Sequence, residues 1–152
     1  DLHSFPTRRS SDLRTLTVLL LASCTGGAKA STFEDVKKIV EENINLESFS
    51  QEGNQGLAYN YEIKDTDIEK YLYYAPRTNI QTNEILILQA KSKEDIPALE
   101  DKINKRLENL KKDFEGYLPQ QAELIDKKFY KVQDNLIILV VANDVDKLSG
   151  IL

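Results

Sequence analysis

The 152-residue sequence contains one Cys, one His, no Trp and no Met. A single Cys excludes an internal disulfide and any metal site built from several cysteines. An excess of positive charge is also missing: the formal net charge is −5, so general affinity for nucleic-acid phosphates is not expected. What is present is 41% hydrophobic and 30% charged residues, the composition of a globular protein of about one domain.

The first residues account for the absent Met. Residues 3–13, HSFPTRRSSDL, resemble one reading frame of a common sequencing-adapter oligonucleotide. We therefore interpret residues 1–13 as an adapter-derived artefact that replaced the true beginning, and exclude them from fold reasoning. The exclusion removes His3, the only histidine, and with it a His general base, a Ser-His-Asp triad and a His-ligated zinc. No catalytic residue, metal or cofactor is predicted from the remaining sequence.

A short apolar segment precedes the Cys. Residues 16–22 are too few to span a bilayer, which needs about 20 residues, and are typical of the end of a signal-peptide core. The sequence Leu21-Ala22-Ser23-Cys24 resembles the lipobox of bacterial lipoproteins. That resemblance implies diacylglyceryl transfer to the Cys24 thiol and cleavage between Ser23 and Cys24. The alternative is a structural Cys buried in a core strand.

Three segments are therefore expected after the artefact. Residues 14–23 are predicted to be a truncated signal peptide, and residues 24–32 the lipidated Cys followed by a flexible tether of small residues. Residues 33–152 are predicted to form a single domain. The two acyl chains, rather than the surface charge of an acidic protein, would hold that domain at the membrane.

Helices and strands are mixed along the domain. Apolar residues at helical spacing predict a helix from Phe33 to about Asn43, and residues 50–56 are predicted to be a loop. Residues 57–63 alternate like a strand. The strands are expected at residues 68–74, 84–91, 129–132 and 136–142. Strands in adjacent pairs predict an α+β fold, with an antiparallel sheet of about four strands and helices on one face.

A long amphipathic helix is the clearest pattern in the sequence. A single apolar stripe predicts about 20 helical residues and consists of Ile96, Leu99, Ile103, Leu107, Leu110, Phe114 and Tyr117. We expect this stripe to pack on the sheet, although the same spacing suits a coiled-coil seam with a partner helix. A final helix is expected through residues 145–152.

Tyrosines and one arginine form the candidate ligand or partner surface. The residues assigned to it are Tyr71, Tyr73, Tyr74, Arg77 and Tyr117. Tyr combines an apolar ring with a polar tip, and alternation along a strand places neighbouring rings on opposite faces of the sheet. Sheet-edge packing with solvated hydroxyls is the alternative explanation.

Four segments carry a resemblance to a known family: IEKYLYYAP from Ile68, NEILILQAK from Asn83, residues 106–119, and KVQDNLIILVVAND from Lys131. In this order they resemble a family of bacterial lipoproteins known as domain of unknown function 4358. The resemblance implies a lipid-anchored, extracytoplasmic protein, typically of Gram-positive bacteria, and it favours a short helix over residues 57–63. It implies no activity and no catalytic residues.

Three hypotheses about function follow. The first is a non-enzymatic binding or accessory domain tethered at the outer face of the cell membrane through Cys24, with an unidentified protein or envelope ligand as partner. The second is a cell-envelope hydrolase that uses carboxylates and tyrosines. The third is a structural subunit that docks on a membrane partner.

Overall fold

The computed structural model describes residues 31–152. Four α-helices occupy Phe33–Asn43 (α1), Asn54–Tyr61 (α2), Ile96–Glu115 (α3) and Pro119–Asp126 (α4). Five strands occupy Phe49–Glu52 (β1), Ile68–Pro76 (β2), Glu84–Ala90 (β3), Phe129–Gln133 (β4) and Leu136–Val141 (β5). Short 3-10 turns occupy Asp65–Asp67, Lys93–Asp95 and Val145–Leu148. None of the helices in residues 31–152 combines the length and the apolar character needed to cross a membrane.

All strands belong to one antiparallel sheet of order β1-β2-β3-β5-β4. The predicted α+β class, with an antiparallel sheet packed against a long helix, is confirmed. The sheet has five strands rather than about four, because residues 50–52 of the predicted loop 50–56 belong to an additional strand, β1; residues 54–56 of that loop begin α2. This polar strand, Phe49–Glu52, pairs with the end of β2 at the edge of the sheet. Its sequence has no apolar alternation, so only its pairing partner makes it a strand.

Helices cover both faces of the sheet, which corrects the expectation of helices on one face. One core contains α2, α3 and α4 residues with Leu86, Leu88 and Leu139 of the central strands. The other contains α1 residues with Ile85 and Ile87. Every residue of β5 is buried, because side chains from both of its faces enter a core.

The long helix predicted from the apolar stripe is confirmed as α3. Six of its seven apolar residues are buried, while Tyr117 lies two residues beyond the end of α3 and is 66% exposed. A capping box between Ser92 and Asp95 precedes the helix: the Asp95 carboxylate accepts hydrogen bonds from the Ser92 backbone N and hydroxyl. Packing on the sheet, rather than on a partner helix, explains the stripe.

The prediction is confirmed at one end of the domain and wrong at the other. At the N-terminal side, α1 has the predicted bounds, and the cap is Thr32, whose hydroxyl oxygen accepts a hydrogen bond from the Asp35 N. At the C-terminal side, the predicted helix over 145–152 is only a 3-10 turn, Val145–Leu148. Gly150 has a φ of 86°, a left-handed conformation that cannot continue a helix.

Candidate functional site

A polar cleft of about 310 Å³ lies where β3 begins and β5 ends. Four segments of the chain meet there: the α1–β1 loop, the β2–β3 loop, the start of α4 and the segment after β5. The lining residues are Asn45, Glu47, Ser48, Gln81, Asn83, Gln121, Leu124, Asn143 and Asp144. We call this end of the domain the cleft end.

Hydrogen bonds between the loops hold the cleft in shape. The Thr82 backbone N donates to the Gln121 side-chain oxygen at 2.9 Å, and the Thr82 hydroxyl donates to the Gln121 carbonyl at 2.8 Å. Asn83 donates through its side chain to the Ser48 carbonyl oxygen at 3.2 Å. Thr82 and Asn83 are buried, so these bonds satisfy groups that would otherwise be costly to bury. They join the β2–β3 loop to α4 and to the residue before β1.

A fourth hydrogen bond closes the cleft from the other face of the sheet. The Asn45 backbone N donates to the Asp144 carboxylate at 3.0 Å, which ties the residues after α1 to the segment after β5. Asp144 also pairs with Lys147 at 3.2 Å. Glu47 is exposed at the rim. Among residues 31–152, the side chains that line the cleft include no Lys or Arg.

The chain enters the domain at the opposite end. Thr32 and Phe33 lie beside the β4–β5 hairpin turn, in a surface depression that includes Asp134 and Asn135. This turn lies at the carboxyl end of β3, where the Ala90 N donates to the Asn135 carbonyl. From there α1 runs about 16 Å toward the cleft end, at 1.5 Å per residue over its 11 residues. We call the end that contains Thr32 the tether end.

A buried carboxylate anchors the strand that leads out of the cleft. Glu84, the first residue of β3, is fully buried on the α2–α3 side of the sheet. Its carboxylate accepts hydrogen bonds from the Tyr61 hydroxyl, from the Tyr73 hydroxyl at 3.4 Å and from Arg106 Nη2 at 2.5 Å. The Tyr61 and Tyr73 rings meet edge to face, with centroids 5.4 Å apart. Arg106 thus reaches from the middle of α3 to the start of β3.

This cluster raises the pKa values of both tyrosines. Burial raises the pKa of Tyr61 well above its usual value, and the negative charge of Glu84 raises it further. The pKa of Tyr73 is raised by the same two effects in the same order. Both hydroxyls therefore stay protonated and donate to the carboxylate. Since Asn83 directly precedes Glu84 in the chain, the cluster also fixes the point at which Asn83 meets the cleft.

A second groove, of about 260 Å³, borders this cluster where α2 meets α3. Lys102, Lys105 and Arg106 line it together with Tyr59, whose side chain is 87% exposed. The cations already have protein partners: Lys105 pairs with Glu62 at 2.8 Å, and Lys102 donates to the Glu62 carbonyl at 2.8 Å.

The structure does not bring the predicted tyrosine surface together. Tyr73 is fully buried in the cluster with Glu84, and Tyr71 is half-buried on the same face. Tyr74 lies on the opposite face, where its hydroxyl donates to Glu41 at 2.9 Å and its ring meets Phe49. Burial and this hydrogen bond raise the pKa of Tyr74 to about 12.

The other two predicted residues lie nearer the cleft end. Arg77 is exposed and donates through Nε to the Phe49 carbonyl at 2.8 Å, and Tyr117 packs on Phe114 in the α3–α4 turn. A ligand role for the exposed members stays a prediction. Ser23 and Cys24 lie outside the described residues, as do the predicted artefact, signal segment and most of the tether.

Sequence reasoning missed the cleft. Its amides come from segments separated by up to about 100 residues, and each amide taken alone is an ordinary turn or cap residue. The available signal was Thr82-Asn83-Glu84, three polar residues of which the last begins the otherwise largely apolar strand β3. No group of three or more His, Cys, Asp or Glu side chains in residues 31–152 has the arrangement of a metal site.

Comparison with known proteins gives one match. The model of a family described as a domain of unknown function, DUF4358, matches residues 30–142. The matched range includes α1, β1 and α2 as well as the segments from Ile68 onward that carry the sequence resemblance. No curated protein and no solved structure matches the chain.

Proposed function

The chain belongs to the DUF4358 family, and from that premise we propose that it is a lipid-anchored extracytoplasmic protein whose domain binds a ligand or partner without catalysing a reaction. The attachment point is Cys24, the only Cys, which follows Leu21-Ala22-Ser23 at the end of an apolar run. The thiol is the nucleophile that lipidation requires, and two acyl chains give stable attachment where one does not.

The observation that carries this proposal is the position of Thr32. It lies eight positions after Cys24 and caps α1 at the tether end of the domain. The polar cleft lies at the other end of the same helix and of β3. A lipid on Cys24 therefore directs the tether end toward the bilayer and the cleft away from it.

Charge supports the same arrangement. The chain has a net charge of −5, so an anionic membrane surface repels rather than adsorbs it. Attachment through lipid alone leaves the acidic domain in solvent, where the cleft can meet an envelope ligand.

The anchor is tested by replacing Cys24 with Ala. The protein is produced in a bacterial host that lipidates its own lipoproteins, with a basic leader in place of residues 1–13. Cys24→Ala should abolish incorporation of a labelled fatty acid and move the protein from the membrane fraction to the soluble fraction. Ser31→Ala, outside the lipobox, is the matched control and should retain both label and membrane attachment. Membrane retention of Cys24→Ala equal to that of the parent would reject the anchor.

A further inference from the structure

The polar cleft holds hydrogen-bond donors and acceptors side by side, and we infer that it binds a neutral polyhydroxylated ligand, an oligosaccharide. This inference deepens the proposed function. It rests on that function only for the expectation that the cleft faces away from the membrane. The ligand chemistry is argued from the cleft alone.

Three amides in the cleft each use one atom for structure and keep the other for a ligand. Gln121 accepts from the Thr82 N through its oxygen and keeps its NH₂ group. Asn45 accepts from the Glu47 N at 2.9 Å and also keeps its NH₂ group. Asn83 donates through its NH₂ group to Ser48 and keeps its oxygen. The bonds already made fix the orientation of all three amides before any ligand arrives.

The remaining groups point to hydroxyls as the matching chemistry. The NH₂ groups of Gln121 and Asn45 donate, whereas the oxygen of Asn83 and the carboxylate of Glu47 accept. A phosphate or carboxylate only accepts and an ammonium group only donates, but a hydroxyl does both. A ligand that carries several hydroxyls satisfies the mixed set.

Charge excludes the anionic alternative. The lining includes two carboxylates, Asp144, which pairs with Lys147, and Glu47, and no Lys or Arg among the described residues that form it. An anion would meet repulsion without a compensating ion pair. The second groove, between α2 and α3, is lined by cations and is the competing location for an anionic ligand.

Size and rigidity fit a saccharide. The volume of about 310 Å³ is at the lower end of the range for small-molecule sites, and Leu124 supplies an apolar wall for the carbon face of a sugar ring. Because the amides are already oriented, little conformational entropy remains to be lost on binding.

The test is a calorimetric titration of the purified full chain with maltotetraose, cellotetraose and the tetramer of N-acetylglucosamine, with inorganic phosphate as the anionic probe. At least one saccharide should bind, and phosphate should not. The informative variant is Asn143→Ala, because this side chain is exposed in the cleft and has no hydrogen-bond partner among the described residues. Loss of one neutral hydrogen bond should weaken saccharide binding about two- to tenfold.

The matched control is Asn104→Ala, an exposed Asn on α3 away from the cleft. It should leave saccharide affinity unchanged. Failure of all three saccharides to bind, equal affinity in the Asn143→Ala variant, or tighter binding of phosphate would each overturn the inference. None of these outcomes affects the fatty-acid labelling of Cys24, so the proposed anchor and the proposed ligand can be refuted independently of each other.

Discussion

At the residue scale, the most constrained group is the buried Glu84 carboxylate. It gathers Tyr61, Tyr73 and Arg106 from three different elements around the start of β3. Losing one partner of a buried ion pair leaves an uncompensated charge and is strongly destabilising. The four side chains therefore act as one structural unit that supports the adjacent cleft.

Replacing Tyr61 with Phe tests this unit and its pH dependence. At pH 7 the variant should lose about 1–3 kcal/mol of unfolding free energy, because a buried carboxylate oxygen loses its donor. Burial and the charge of Glu84 raise the pKa of Tyr61 in the folded protein. Its contribution is thus fully present below about pH 10, the usual tyrosine pKa, and is lost as pH rises through the folded value.

Urea unfolding at a series of pH values measures both effects. The parent should lose up to about 1.4 kcal/mol per pH unit above pH 10 for each such tyrosine, and Tyr61→Phe should fall less steeply. Tyr59→Phe is the matched control, since Tyr59 lies on the same helix but is 87% exposed. An equally steep alkaline fall in Tyr61→Phe would refute the role given to its hydroxyl.

At the element scale, close contact between β1 and α2 depends on a glycine. A Cβ atom on Gly56 would lie 2.9 Å from the Glu52 Cβ, closer than real Cβ atoms approach. Helical Gly normally costs about 0.5–1 kcal/mol relative to Ala, so the close contact, rather than helix propensity, accounts for the Gly here. It permits α2 to follow β1 with only Gly53 between them.

Gly56→Ala should therefore destabilise the domain rather than stabilise it. The backbone of β1 or α2 must shift to relieve the contact with Glu52, at a cost of roughly 1–3 kcal/mol. Thermal unfolding followed by circular dichroism gives the change. Gly116→Ala is the control, because no atom other than those of the adjoining backbone lies within 4 Å of its Cβ position, and the midpoint should stay close to that of the parent. A higher midpoint for Gly56→Ala would show that the close approach does not exist in solution.

At the scale of the whole molecule, the domain is supported by cores on both faces of the sheet. The buried side chains of both cores, as far as the structure describes the chain, come from Phe33 onward. The capping bonds of α1 begin at Thr32. Residues from Thr32 onward thus already cover both faces of the sheet.

A protein that begins at Ser31 should unfold cooperatively as a monomer, with a denaturant midpoint close to that of the full chain. One that begins at Glu41 should not, because it lacks Phe33, Val36 and Val40, which cover one face of the sheet. Size-exclusion chromatography and urea unfolding distinguish the two. Loss of the cooperative transition in the Ser31 protein would mean that the preceding segment contributes to the fold.

The local sequence pattern was sufficient to predict an element wherever that element buries one continuous face. The α3 stripe and the apolar runs of β3 and β5 were predictable, since periodicity and length reflect the burial of those residues directly. The number of strands was not predictable in this way, because the polar strand β1 is defined by its pairing with the backbone of β2. The C-terminal turn was mistaken for a helix because the pattern could not show the backbone conformation of Gly150.

The α+β class and the position of the long helix were readable from neighbouring residues alone, as was the thiol that we propose for lipid attachment. Three further features are visible only in the folded domain: helices cover both faces, Tyr73 is buried against Glu84, and four amides meet in one cleft, Asn45, Asn83, Gln121 and Asn143. The reason is physical. Burial of a strand or helix is encoded in neighbouring residues, whereas a cleft is formed by polar groups far apart in the chain, which only the packing of the whole domain brings together.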